Sequence, residues 1–154
     1  MIQTLEAMIR EHPFFKGLEE PCIKLIVECA KNVRFDEGQI LFRQTDPTDH
    51  FYLVREGLAA VESMIPHRGS TTVLTAGSAE VLGWSWLFQP YKWHFDARAL
   101  QSTRALAFDG KCLRTKCAED HGLGYELLKP FTRIMREWFE STKLQLMDLY
   151  GSNS

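Results

Sequence analysis

The stretch VLGWSWLFQPYKWHFDARAL (Val81–Leu100), with the alternating Thr103–Asp109 behind it, decides how the rest of the chain is read. An apolar strand ends at Gly83. Trp84–Phe88 then spell a short helical turn that Pro90 stops, and Phe95–Leu100 alternate as a new strand. Strand, glycine, one helical turn, loop and strand make an insertion inside β-structure, which is where small barrels place ligand sites. Three of the four tryptophans, Trp84, Trp86 and Trp93, fall inside it. They either line a pocket for a flat or apolar ligand or plug that pocket with their own bulk, and filling an interior is the commoner use of Trp.

Upstream of this insertion the period is two. Val33–Phe35, Gln39–Phe42, Phe51–Val54, Leu58–Met64, Thr71–Thr75 and Val81–Leu82 read as strands. Asp36-Glu37-Gly38, Asp46-Pro47-Thr48-Asp49, Glu56-Gly57, Pro66–Ser70 and Ala76-Gly77 turn the chain between them. Seven or eight short strands with a turn every 6–12 residues indicate an antiparallel barrel or sandwich.

Both ends are helical. Thr4 caps a short amphipathic helix that stops before Pro13, and His12-Pro13-Phe14-Phe15 forms a turn with two aromatic anchors. Glu20-Pro21 opens a second helix to about Lys31, with Pro21 at the tolerated first position. After the strands, Lys111–Glu119 is one helix. Asp120-His121-Gly122 breaks it, and a long helix with Pro130 near its start runs to Tyr150. Phe131, Ile134, Trp138, Met135, Phe139, Thr142, Leu146 and Leu149 form a stripe that Leu144, Met147 and Tyr150 widen further. That is more apolar surface than one barrel face covers, so the reading favours a second copy of the chain over simple packing on its own barrel.

At 154 residues the chain is one domain able to bury its own core. Its net charge of −2, with no Lys/Arg cluster, leaves no electrostatic footprint for nucleic acid. No signal-peptide pattern and no apolar run of the ~20 residues that span a bilayer is present, so the expectation is a soluble, cytoplasmic protein away from membranes. Cys22, Cys29, Cys112 and Cys117 lack the spacing of zinc knuckles or redox motifs. Reduced, mostly buried thiols are expected, and a four-thiolate cluster only if their helices meet.

Helix, HPFF turn, helix, β-roll with a helical insertion and long helix, in this order, resemble the cyclic-nucleotide-binding domain of the catabolite-activator/FNR (Crp/Fnr) superfamily. HPFFKGL (His12–Leu18) is similar to the family's opening turn. VRFDEGQILFRQTDPTDHFYLVREGLAAV (Val33–Val61) carries its hairpins, with turn glycines at Gly38 and Gly57. VLGWSWLF (Val81–Phe88) lies where the phosphate-binding cassette lies, and RIMREWFESTKLQLMDLY (Arg133–Tyr150) matches the dimer helix. The resemblance spans about residues 5–150. It implies a mainly β fold, a double-stranded β-helix (jelly-roll-like β-roll) over 32–109 with a helical insertion at 83–93. N-terminal helices over 1–31 and C-terminal helices over 111–150 would flank the roll.

Two departures from the family matter. Promoter-acting members continue past the long helix into a helix-turn-helix domain, whereas this chain stops at Ser154, so sequence-specific DNA binding by it alone is not expected. The family's cassette also follows its Gly with a Glu for the ribose hydroxyl and, about ten residues on, an Arg for the cyclic phosphate. Here Trp84 follows Gly83, and the Arg position falls on Trp93 or His94. Arg98 alternates with Ala97 and Ala99 and so points outward from the roll. A phosphodiester taken from water into a barrel costs several kcal/mol without a cation to replace its hydration. Only backbone N–H groups near Trp84, and His94 when protonated, remain for an anion.

Weak or no binding of cyclic AMP, the cyclic nucleotide the resemblance implies, is therefore expected, and no other cofactor or metal is indicated. The five histidines are scattered, and no nucleophile-elbow, P-loop or zinc-protease motif is present. Candidate ligand-side residues are Gly83, Trp84, Ser85, Trp86, Trp93 and His94. Trp138, Thr142 and Lys143 are candidates on the long helix, with Thr142 equally placed as an interface residue. The expectation is a non-enzymatic, dimeric regulatory module acting on a partner protein, or else a ligand-free dimerisation module. A metal- or haem-dependent protein is the weakest reading.

Overall fold

The computed structural model describes residues 4–47, 50–78, 80–83, 86, 89 and 91–151. Thr4 begins α1 (Leu5–Glu11), its hydroxyl accepting from the Ala7 N–H at 3.1 Å. A single 3-10 turn, Pro13–Phe15, leads to α2 (Glu20–Val27), whose Pro21 costs no hydrogen bond in the first turn. The chain then becomes β at Ala30, two residues before the expected switch, because Ala30–Phe35 pairs along its whole length with the last strand.

Among the described residues, eight strands make two four-stranded antiparallel sheets. They are β1 (Ala30–Phe35), β2 (Ile40–Phe42), β3 (His50–Glu56), β4 (Ala59–Ile65), β5 (Gly69–Ala76), β6 (Val81–Leu82), β7 (Asp96–Ala99) and β8 (Thr103–Asp109). One sheet runs β1-β8-β3-β6 and the other β2-β7-β4-β5. This is the β-roll with flanking helices that the sequence predicts.

The strand period sorts the core into two compartments. On β3, Phe51 and Leu53 face the helices, where they meet Leu106, Phe108, Ile9, Ile26, Leu123 and Phe131. Val54 and Tyr52 face the other way, into the roll, with Phe42, Val61, Leu82 and Ala97. The helix-side compartment is rich in aromatic rings: Phe51 and Phe108 stack at 4.7 Å, and Phe131 meets Phe51 and Phe14 edge-on at 4.9 Å.

Asp109 caps α3 (Gly110–Glu119), and the Asp120 carboxylate accepts from the Leu123 N–H at the start of α4 (His121–Gly151). The break between these helices is thus shorter than expected: Asp120 alone separates them. The long helix passes straight through Pro130, which lies within it rather than near its start.

The thiols depart from expectation. Cys29 and Cys112 are joined in a disulfide, and Cys22 and Cys117 are free and half-buried. The reading of reduced thiols put Cys29 on the second helix. That helix ends at Val27, so Cys29 lies past it, at the junction where the first turn of α3 crosses.

Candidate functional site

The cassette region is organised by Gly83. Its φ of +101° lies in the left-handed region that side chains avoid. A Cβ built there would sit 2.5 Å from Cζ3 and 2.6 Å from Cη2 of Trp93, so the indole lies directly on the glycine. The same indole stacks on Phe42, with ring centres 3.5 Å apart and planes within 5°. The backbone pins it there: Trp93 N–H donates to Asp46 O at 3.0 Å, and Thr45 N–H donates to Trp93 O at 2.9 Å. The loop that supplies these partners is itself held by the Asp46 carboxylate, which accepts from the Arg43 N–H at 3.2 Å. Trp93 is 6% exposed.

What remains beside it is a cavity of about 20 Å³ bounded by Phe42, Val61, Leu82, Gly83, Trp93, His94, Phe95 and Trp138. That volume holds roughly one water. Among the described lining residues there is no Lys or Arg, and His94, exposed at the rim, is the one titratable side chain. Arg98 points out of the roll between buried Ala97 and Ala99, and its guanidinium pairs with the Glu62 carboxylate at 3.0 Å. It is thus committed outside the compartment.

The six cassette residues separate. Gly83, Trp93 and His94 come together at the cavity. Trp84 and Ser85 lie outside the described residues. Trp86 is a correction to the grouping of three tryptophans around one pocket. It is fully buried in the helix-side core, 5.4 Å from Phe51 and Phe131, and takes no part in the cavity. The physical reason is α3: the Arg114 guanidinium donates to the Trp86 carbonyl at 2.6 Å and draws this segment against the helices.

The same guanidinium lies 4.1 Å over the ring of Tyr91, whose φ of +55° is unusual for an aromatic residue. Sequence reasoning missed Arg114. Its place in the first half of a helix following the last strand gave no sign that it reaches back to the insertion.

On α4, Trp138 lines the cavity and packs on Phe95 at 5.8 Å, so the long helix touches the site directly. Thr142 and Lys143 are both exposed and outside the lining, and the Thr142 hydroxyl donates to the Trp138 carbonyl at 2.8 Å. Beyond Trp138 the helix still reaches the roll at Gln145, whose side-chain amide donates to Val73 O at 3.2 Å.

From Thr142 to Tyr150 every residue is exposed. The exposed positions 125, 128, 132, 139, 142, 146 and 149, with half-buried Met135, step by three and four along one face of the helix, the spacing on which coiled-coil seams are built. Phe139 is 67% exposed on that face. Among the described residues no group of three His, Cys, Asp or Glu is placed to hold a metal, and no helix is long and apolar enough to cross a membrane.

A β-roll of two four-stranded sheets, with a cavity at Gly83 and Trp93 that the long helix reaches through Trp138, has the architecture of a cyclic-nucleotide-binding type of regulatory domain. Residues 32–120 match the cyclic nucleotide-binding domain family, and the chain belongs to it. A CRP-like cAMP-activated global transcriptional regulator of Mycobacterium tuberculosis is 21% identical over 132 residues, which are 86% of this chain and 59% of that protein. The chain thus spans little more than half the length of that relative.

Among solved structures, a Geobacter metallireducens protein assigned as cyclic nucleotide-binding superposes with a TM-score of 0.79 at 22% identity, covering 90% of this chain and 99% of the other. The catabolite activator protein of Thermus thermophilus gives 0.69 at 21% identity, covering 88% and 63%. At these identities the structures establish the shared fold.

Proposed function

We propose that this domain is a non-enzymatic, homodimeric regulatory module in which Trp93 occupies the position a cyclic nucleotide would take, so that cyclic AMP binds weakly or not at all. The observation that carries this reading is the Phe42–Trp93–Gly83 sandwich, which leaves about 20 Å³ free. A nucleotide would have to displace the indole and then find no cation among the lining residues to replace the phosphate's hydration. The output element is α4. It touches the cavity through Trp138 and carries the coiled-coil seam, so a change at the site would alter how two copies pack and what a partner protein meets.

The test is a titration of the full chain with cyclic AMP, cyclic GMP and a cyclic dinucleotide, followed by tryptophan fluorescence at neutral and mildly acidic pH. No saturable change up to millimolar ligand is expected. A saturable change at micromolar ligand would sink the reading. The Trp84→Glu, Trp93→Arg double variant sharpens it: gained binding shows that the roll lost only its polar groups. A second reading, a ligand-free dimerisation module, is favoured by the tightness of the same sandwich, and it predicts no binding even in that variant. Sedimentation should give a dimer that Phe139→Glu dissociates by tenfold or more.

A further inference from the structure

We propose that the Cys29–Cys112 disulfide is an exchange site for low-molecular-weight thiols, and that its state is passed through α3 to the cassette. This inference stands whether or not the roll takes a nucleotide. The bond joins residues 83 apart at the junction of α2, β1 and α3. It floors a groove of about 180 Å³ bordered by Glu28, Lys31, His50 and Asp109. Both charge signs face that groove, which suits a small zwitterionic thiol of the glutathione kind. The two cysteines are not equally exposed: Cys29 is 6% exposed, while Cys112 is only half-buried. The incoming thiolate therefore meets Cys112.

The step balances. The thiolate sulfur bonds to Cys112 Sγ, the Cys29–Cys112 bond breaks, and the departing Cys29 thiolate takes a proton. A second thiol attacks its own kind's sulfur in the mixed disulfide and leaves as the small-molecule disulfide, and Cys112 takes the second proton. Two electrons pass from two thiols to one protein disulfide.

The sulfur bond tightens the junction but is not its sole tie. Asp109 N–H donates to Cys29 O at 2.8 Å, and the Asp109 carboxylate accepts from Cys112 N–H at 3.0 Å. An ion pair between Lys116 and Glu28 spans the same gap. Reduced thiols would stay adjacent and ready to close again.

Cys22 and Cys117 are poor competitors. Burial, with Asp120 nearby, pushes both thiols up, which keeps them protonated near neutral pH. Transmission follows from Arg114, two residues beyond Cys112, which holds both Trp86 O and the ring of Tyr91. Loosening the first turn of α3 therefore reaches the cassette by one side chain.

The experiment equilibrates the full chain in buffers of graded reduced-to-oxidised glutathione ratio, quenches with acid, alkylates and reads each cysteine by peptide mass spectrometry. Cys22 and Cys117 should alkylate throughout. Cys29 and Cys112 should pass together from bonded to free while circular dichroism stays native and tryptophan emission shifts. In Cys29→Ser, glutathione should be trapped on Cys112, and Cys112→Ser should give at least tenfold less adduct on Cys29.

A bond that opens only in denaturant would make it a structural staple and overturn the proposal. Cys29 and Cys112 free even in oxidised glutathione, or adducts equal on both, would overturn it as well. An opened bond with unchanged emission would overturn the link to the cassette. Should a serine variant fail to fold, the titration of the unaltered chain still decides.

Discussion

Trp86 and Trp93 are seven residues apart and both buried, yet they serve opposite compartments. Trp86 completes an aromatic cluster between the first sheet and the helices, with Phe51 and Phe131 around it. Trp93 closes the inside of the roll, flat between Phe42 and Gly83. One is fixed from outside, by Arg114 on its carbonyl, and the other from within, by a glycine that makes room for its ring. The insertion therefore contributes one tryptophan to each of the two cores.

The largest expected effect comes from breaking the first half of that pair. Trp86→Ala empties a fully buried site among rings that hold one another, and should cost about 3–5 kcal/mol in urea unfolding. Trp93→Ala should cost less, about 3 kcal/mol or below, because the space it leaves opens at His94 and water can enter. Trp86→Phe should recover most of the loss, since the indole Nε1 has no hydrogen-bond partner among the described residues and the ring area largely remains. Equal costs for the two alanine variants would remove the distinction between the compartments.

The second half is tested at the glycine. Gly83→Ala meets strain at φ +101° and the indole 2.5 Å away, so it should cost more than the roughly 1–3 kcal/mol of backbone strain alone. Combined with Trp93→Leu the steric part should vanish, leaving a coupling of about 1 kcal/mol or more in a double-mutant cycle. Additive effects would show that the ring does not rest on Gly83 in solution.

The same contrast explains what the sequence could reveal. Short apolar runs between turn residues placed the strands. But β3 is buried on both faces, so no apolar–polar alternation separates Phe51 and Leu53 from Tyr52 and Val54, and only the packing assigns them to their compartments. Alternation did place Arg98 outside, between two alanines. Period and alternation fail in the insertion, where Trp86 and Trp93 follow no repeat, and only long-range contacts assign them, Phe51 and Phe131 for the first and Gly83 and Phe42 for the second. The disulfide was illegible for a related reason. Its partners meet through the pairing of β1 with β8, which brings Ala30 opposite Phe108, and a spacing of 83 residues carries no local signal. Arg114 acts across 28 residues in the same way. Local grammar gives elements, and long-range closure gives the site.

The smallest effect is a pH dependence in the wall between the compartments. His12 is buried with both ring nitrogens engaged: Phe14 N–H donates to Nδ1 at 3.2 Å, and Nε2–H donates to Val54 O at 3.3 Å. The first bond requires Nδ1 to be unprotonated. Burial lowers the pKa below its ordinary 6.5, against the Val54 carbonyl, which favours the charged ring, and Arg55 adds to the lowering. The unfolded chain therefore binds the proton more readily than the folded one. Stability from this group is present above about pH 6.5 and is lost as pH falls below it, with a slope of at most about 1.4 kcal/mol per pH unit. Urea unfolding at pH 7.5 and 5.5 should show that loss in the unaltered chain. His12→Asn keeps an acceptor for Phe14 and removes the titration. It should be less stable at pH 7.5 yet lose less on acidification, and an unchanged acid loss would move the effect to another of the histidines.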